Sequence, residues 1–150
     1  PSLVGSEMCI RDRDVVAEFL HHLEKIEDPL LVGYNIRGFD LPFIVVRGIK
    51  YDLDISHLLN APNIDLMQLV SRHCLINGGK TKLHIIAEYL GLENGDETDG
   101  SQMPEFYKQG NFKAIEKHCR YDIELTCALY LKLKPLCEYY LRLKRWDATK

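Results

Sequence analysis

Leu30-Leu31-Val32-Gly33-Tyr34 is a short, continuous apolar run set among segments patterned as helices. A run of this kind is expected of a strand covered on both faces. It constrains the fold strongly, because a buried strand has two backbone edges and each needs a hydrogen-bonding neighbour. Few other strand candidates exist, and Tyr51 to Ile55 reads as either a strand or an irregular crossing. Helices alternating with a buried strand point to an α/β layer fold.

The helical segments are more legible. From Asp14, the residues Val15, Val16, Phe19, Leu20, Leu23 and Ile26 recur at three- and four-residue spacing, and Asp28-Pro29 stops the run. Leu41 to Arg47 predicts a short helix with Pro42 in its first turn and Gly48 after it. Ile64 to Arg72 and Lys82 to Leu90 also read as helices, the second ended by Gly91. Glu93 to Ser101 reads as a polar loop. Pro104 to Tyr107 could form one turn. Asn111 is placed to cap a long helix reaching about Leu133, where Pro135 breaks or kinks it. The first residues stand apart. PSLVGSEMCIRDR has neither a helical stripe nor clean alternation, and it resembles the translated adaptor sequence that contaminates the ends of assembled fragments. Residues 1–13 are therefore set aside as non-native sequence, the alternative being a genuine irregular N-terminus.

With 150 residues and 46% hydrophobic content, the chain suits one soluble domain with a core. It has no membrane-length apolar run and no signal-peptide pattern. Its five cysteines form no C-x-x-C pair, which suggests free thiols in a reducing compartment and a cytoplasmic location. His73-Cys74 and His118-Cys119 lack zinc-finger spacing. The net charge of −3 gives no overall basic footprint for nucleic acid. From Lys132 to Lys150, however, six basic residues face Glu138 and Asp147, giving +4 there and −7 elsewhere. A basic tail beside an acidic body can hold a polyanion while the acids hold metal, although on charge alone a solvated helix face is the preferred reading of the tail.

Two aspartates stand in different settings. Asp40 lies in Gly33-Tyr34-Asn35-Ile36-Arg37-Gly38-Phe39-Asp40-Leu41-Pro42-Phe43-Ile44, just after the apolar run and at the start of a helix. It reads either as an N-cap worth ~1 kcal/mol or as an acid held at the strand edge where α/β sheets tend to place ligands. Asn35 can hydrogen-bond the turn, and Gly38 permits close approach or positive φ. Asp122 shares a helix face with Ile115, His118, Leu125 and Leu129, at spacings of three and four. An unpaired carboxylate on that apolar stripe would be costly, so either a divalent cation or a salt bridge should offset it. His118 is one turn away, within reach of the same place, or else a satisfied core histidine.

These segments carry a family resemblance. GYNIRGFDLPFI resembles the second exonuclease motif of B-family DNA polymerases, N-x3-F-D-x-P-[FY]. HCRYDIELT resembles the third motif of DEDD 3′-5′ exonucleases, usually Y-C-x-x-D in the tyrosine subclass. IDLMQLV, LHIIAEYLGL, DGS and FYKQGNF are similar to predicted stand-alone relatives of the polymerase exonuclease domain, so the resemblance covers most of Leu30 to Leu133.

The resemblance implies a ribonuclease-H-like mixed sheet flanked by helices. It also implies phosphodiester hydrolysis with two divalent ions, Mg²⁺ or Mn²⁺, ~4 Å apart. Asp40 and Asp122 match metal ligands. His118 stands where a tyrosine usually orients the attacking water. Asn35 and Phe39 fall at the nucleic acid, and Arg142, Lys144 and Arg145 would support the strand's backbone. The family's first motif, a strand-borne D-x-E, has no counterpart: Asp12-Arg13-Asp14 straddles the adaptor-like string, and Asp52 and Asp54 follow the second motif. Residues 14–150 are accordingly expected to be the C-terminal part of a 3′-5′ exonuclease domain, truncated upstream with its early strands missing. The full protein is expected to act on the 3′ end of single-stranded DNA or RNA, with no membrane partner, and this segment alone to be inactive or nearly so. The alternative is a non-catalytic nucleic-acid-binding or scaffold module of the same fold. A third reading is an unrelated α/β domain with a capping Asp40 and a salt-bridged Asp122.

Overall fold

The computed structural model describes residues 3–73, 81–92 and 100–148, with side chains over 12–72, 81–92 and 100–142. The chain divides into two compact units, residues 1–65 and 66–150. Both are mostly helical, and the described strands form one small parallel sheet in the first unit.

In the first unit, α1 (Leu3–Glu24) begins well before the expected start at Asp14. Its buried side is narrower than the sequence stripe. Val16, Leu20 and Leu23 are buried, whereas Val15 and Ile26 are exposed. One helix facing a thin layer buries only an arc of three- and four-residue spacing. That arc meets Leu58 of α3 (Ser56–Asn60), with Leu31, Leu41, Ile44, Val45, Leu53 and Ile55 packed around it. Burying Val16, Leu20, Leu23 and Leu58 stabilises the unit by roughly 1.5–3 kcal/mol apiece, the partly buried side chains contributing less. Asp12 ties α1 to α2 (Asp40–Lys50): Arg47 Nε donates to both its oxygens at 2.8 and 3.0 Å, and the Tyr51 hydroxyl donates at 2.9 Å.

The expected strand is present as β1 (Leu31–Gly33). Its partner is β2 (Asn63–Asp65), parallel and in the register Leu31↔Asn63, Val32↔Ile64, Gly33↔Asp65. The sequence reading had Ile64 opening a helix. Instead the helix α4 starts at Leu66 and runs to His73, because Asn63–Asp65 supplies the neighbour that one edge of β1 requires. The ambiguous stretch Tyr51–Ile55 is no strand. Asp52 adopts a left-handed φ of 52°, and the amides of Asp52 and Leu53 close α2 on the carbonyls of Ile49 and Gly48 at 3.2 and 2.9 Å.

In the second unit, α5 (Leu83–Tyr89), α6 (Met103–Lys108) and α8 (Lys134–Ala148) each pack against the long α7 (Phe112–Lys132). Gly91, at φ 72°, ends α5 as expected: its amide reaches Glu88 and that of Leu92 reaches Ala87. Asn111 caps α7, its side chain accepting from the Ala114 amide at 3.3 Å. Ile86, Leu125, Leu129, Leu133 and Cys137 are buried. The proposed polar loop lies largely outside the described residues, which resume at a 3₁₀ turn, Gly100–Gln102. No described helix is long and apolar enough to cross a membrane.

Candidate active-site segments

The first segment is the turn between β1 and α2. Asn35 sits at φ 63°, a left-handed conformation that asparagine tolerates better than most residues. Its carbonyl accepts from the amides of Gly38 and Phe39 at 3.0 and 3.1 Å, and Ile36 accepts from Leu41 at 2.9 Å. Gly38 does not use positive φ; its value is space, since a Cβ there would collide with the Asn35 side-chain oxygen.

Asp40 is the first residue of α2, and Phe39, which precedes it, makes no side-chain cap bond. The N-cap reading of Asp40 therefore does not hold. Burial pushes its carboxyl above the ordinary range, hydrogen bonding to its own amide opposes this, and the negative charge of Asp65 pushes it further up. Phe39 is 63% exposed and its ring meets that of Phe43 at 5.9 Å. The Arg47 guanidinium covers Phe43 at 3.3 Å from the ring centre.

Asp65 is the residue that sequence reasoning missed. It is 3% exposed, and its two oxygens accept from the backbone amides of Asn35 and Arg37, each at 3.1 Å. The signal available was an acid between Ile64 and Leu66, hidden by reading the segment as helix. Asp65 also helps hold the phenol of Tyr34 in its protonated form, pushed up to about 12 mainly by burial and then by the Asp65 charge.

The second segment lies on α7. His118 and Asp122 are one turn apart, with Nε2 and Oδ2 separated by 3.5 Å. The imidazole is 11% exposed and the carboxylate 52%. Asp122 is thus not buried on the apolar stripe: Leu125 and Leu129 are, and His118 takes the sheltered side at this turn. The cost of burial gives no reason for a cation at Asp122. The 3₁₀ turn comes against the imidazole, a Cβ on Gly100 lying 3.7 Å from His118 Nε2. Arg142 on α8 is exposed and bonds the Glu138 carbonyl at 3.4 Å; the side chains of Lys144 and Arg145 lie outside the described residues.

The structure thus gathers Asn35, Phe39, Asp40 and Asp65 in the first unit and His118 with Asp122 in the second. Among the described residues, no three His, Cys, Asp or Glu side chains group as a metal site. The donors do suit a hard cation. Carboxylate oxygens are the ligands that Mg²⁺ and Mn²⁺ prefer, and a cation beside Asp40 would offset both influences that raise its carboxyl.

A mixed α/β domain with an acid at the start of a strand-linked helix and a His–Asp pair on a later helix is compatible with a nuclease domain. Comparison defines the class. Residues 3–148 match the family model described as a predicted 3′-5′ exonuclease related to the exonuclease domain of PolB, and the chain belongs to that family. It is also 26% identical over 145 residues to DNA polymerase 2 of Aeropyrum pernix, covering 83% of this chain. The chain spans 18% of that polymerase's length. No solved structure matches.

Proposed function

We propose that this domain, within its full-length protein, is a metal-dependent 3′-5′ exonuclease of ribonuclease-H-like fold acting on single-stranded DNA or RNA. The observation that carries the reading is the turn from Gly33 to Asp40. Backbone bonds fix this turn, and the carboxyl at its end is under pressure from burial and from Asp65, which a divalent cation would relieve. Family membership supports the exonuclease chemistry.

Asp40 and Asp122 would hold Mg²⁺ or Mn²⁺ by their carboxylate oxygens. When bound, such ions lower the pKa of water and stabilise charge at the departing oxygen. His118 orients the attacking water, or takes its proton, through an imidazole that Asp122 steadies from one turn away. Phe39 offers an exposed ring on which a terminal base can stack, and Asn35 holds the turn that presents it. Arg142, Lys144 and Arg145 contact phosphates along the strand.

The test is a time course of the full-length protein on 5′-labelled single strands of DNA and of RNA. Stepwise shortening from the 3′ end with Mg²⁺ or Mn²⁺, abolished by chelation, is expected. Retained binding with no shortening would instead favour a non-catalytic nucleic-acid-binding module.

A further inference from the structure

We infer that Asp65 is a positioning residue of the proposed site, a two-oxygen clamp that sets the Asn35–Phe39 turn and so delivers Asp40 to the divalent ion. The inference rests on the exonuclease reading above.

A carboxylate 3% exposed is costly unless its oxygens are satisfied, and those of Asp65 accept from Asn35 and Arg37, amides two residues apart in the same turn. One of these amides belongs to the residue held at φ 63°, a conformation that needs outside support. The Arg37 side chain returns to the same strand, where Nε bonds the Asn63 side chain and Nη2 donates to the Asn63 carbonyl at 2.9 Å. Asn63 and Asp65 of β2 therefore grip Arg37 by its side chain and its backbone. From the gripped segment, the carbonyls of Asn35 and Ile36 hold the amides of Gly38, Phe39 and Leu41, which bracket Asp40. Displacing the turn displaces the carboxylate. Each Asp65 oxygen already holds an amide, which suits a clamp better than a metal ligand.

The test uses the full-length protein with Asp65→Asn, Asp65→Ala and a control, Ile86→Ala, a buried residue of α5 in the second unit. Amide hydrogen exchange, Mn²⁺ affinity from the free-Mn²⁺ resonance signal, and exonuclease kcat and KM are measured. Asparagine keeps the size of aspartate but offers one acceptor oxygen. Asp65→Asn should speed exchange at Asn35 or Arg37 about tenfold and weaken Mn²⁺ about 10–100-fold, lowering kcat more than KM. Asp65→Ala, with no acceptor left, should do so at both amides. Ile86→Ala should lower thermal stability while both amides and Mn²⁺ affinity stay parental. Should Asp65→Asn fail to fold, Asn63→Ala, which removes only the Arg37 side-chain anchor, should shift exchange and Mn²⁺ affinity in the same direction. Faster exchange with parental Mn²⁺ affinity, or unchanged exchange, would overturn the role. If the parental protein binds Mn²⁺ but cleaves nothing, the exonuclease reading fails while exchange and Mn²⁺ affinity still decide Asp65. A parental protein that binds no Mn²⁺ overturns both.

Discussion

His118 Nε2 lies 3.5 Å from Asp122 Oδ2, one helical turn away on α7, with the imidazole sheltered and the carboxylate open to solvent. The two residues thus differ in their access to solvent. The carboxylate is half-exposed, and the imidazole beside it is sheltered. On the proposed exonuclease reading, His118→Ala in the full-length protein should lower kcat by about 10²–10⁴-fold with little change in KM, as expected for a group acting in the transition state. His118→Tyr should retain activity, since tyrosine is usual at this position in the resembling motif. Steady-state kinetics decide, and parental turnover in His118→Ala would make the residue core packing.

Asp40 gives a pH-dependent prediction. Its folded carboxyl holds a proton more tightly than the unfolded one, from burial first and then from Asp65. Its favourable contribution to stability is therefore full below the ordinary aspartate range and is lost as pH rises through the raised folded value. Asp40→Asn, neutral throughout, should melt higher than the parent at pH 7 without divalent ions, and the advantage should vanish in strong acid. Added Mn²⁺ should stabilise the parent and not the variant. Thermal melts with and without chelator measure both effects.

Asn35 separates backbone from side chain. At φ 63°, Asn35→Ala should cost about 1–2 kcal/mol of stability, whereas Asn35→Gly should cost much less. If the side chain orders the turn for substrate, Asn35→Gly should nonetheless bind single strands more weakly. Urea unfolding and fluorescence anisotropy of a labelled strand give the two readings.

The helical architecture was readable because caps and stops are local. Asn111 beside its helix and Gly91 at a left-handed end act within one turn, and both appear as expected. The Leu30–Tyr34 run likewise announced β1. β2 was hidden because Asn63-Ile64-Asp65 continues directly into helix α4, and only pairing with β1 reveals it as a strand. Asp65 was missed for the same reason, its role being set by amides about thirty residues earlier in the chain. The exposure of Asp122 was misjudged because periodicity assigns a face but not what covers each turn.

The basic stretch on α8 makes a salt-dependent prediction. Replacing Arg142, Lys144 and Arg145 with alanine should weaken single-strand binding and flatten its dependence on log salt by about 0.7 for each phosphate no longer neutralised. Titrations across salt concentrations measure it, and an unchanged slope would return these residues to a solvated helix face.

The proposed exonuclease reading has Asp40 and Asp122 each act in divalent-metal chemistry. It is tested most directly by single-turnover cleavage of a 3′ single strand in Mn²⁺ by Asp40→Asn, Asp122→Asn and the double variant of the full-length protein. Residues acting as one unit are non-additive, so each single substitution should slow cleavage nearly as much as both together. Effects that simply multiply, or a single variant cleaving at the parental rate, would overturn that proposal.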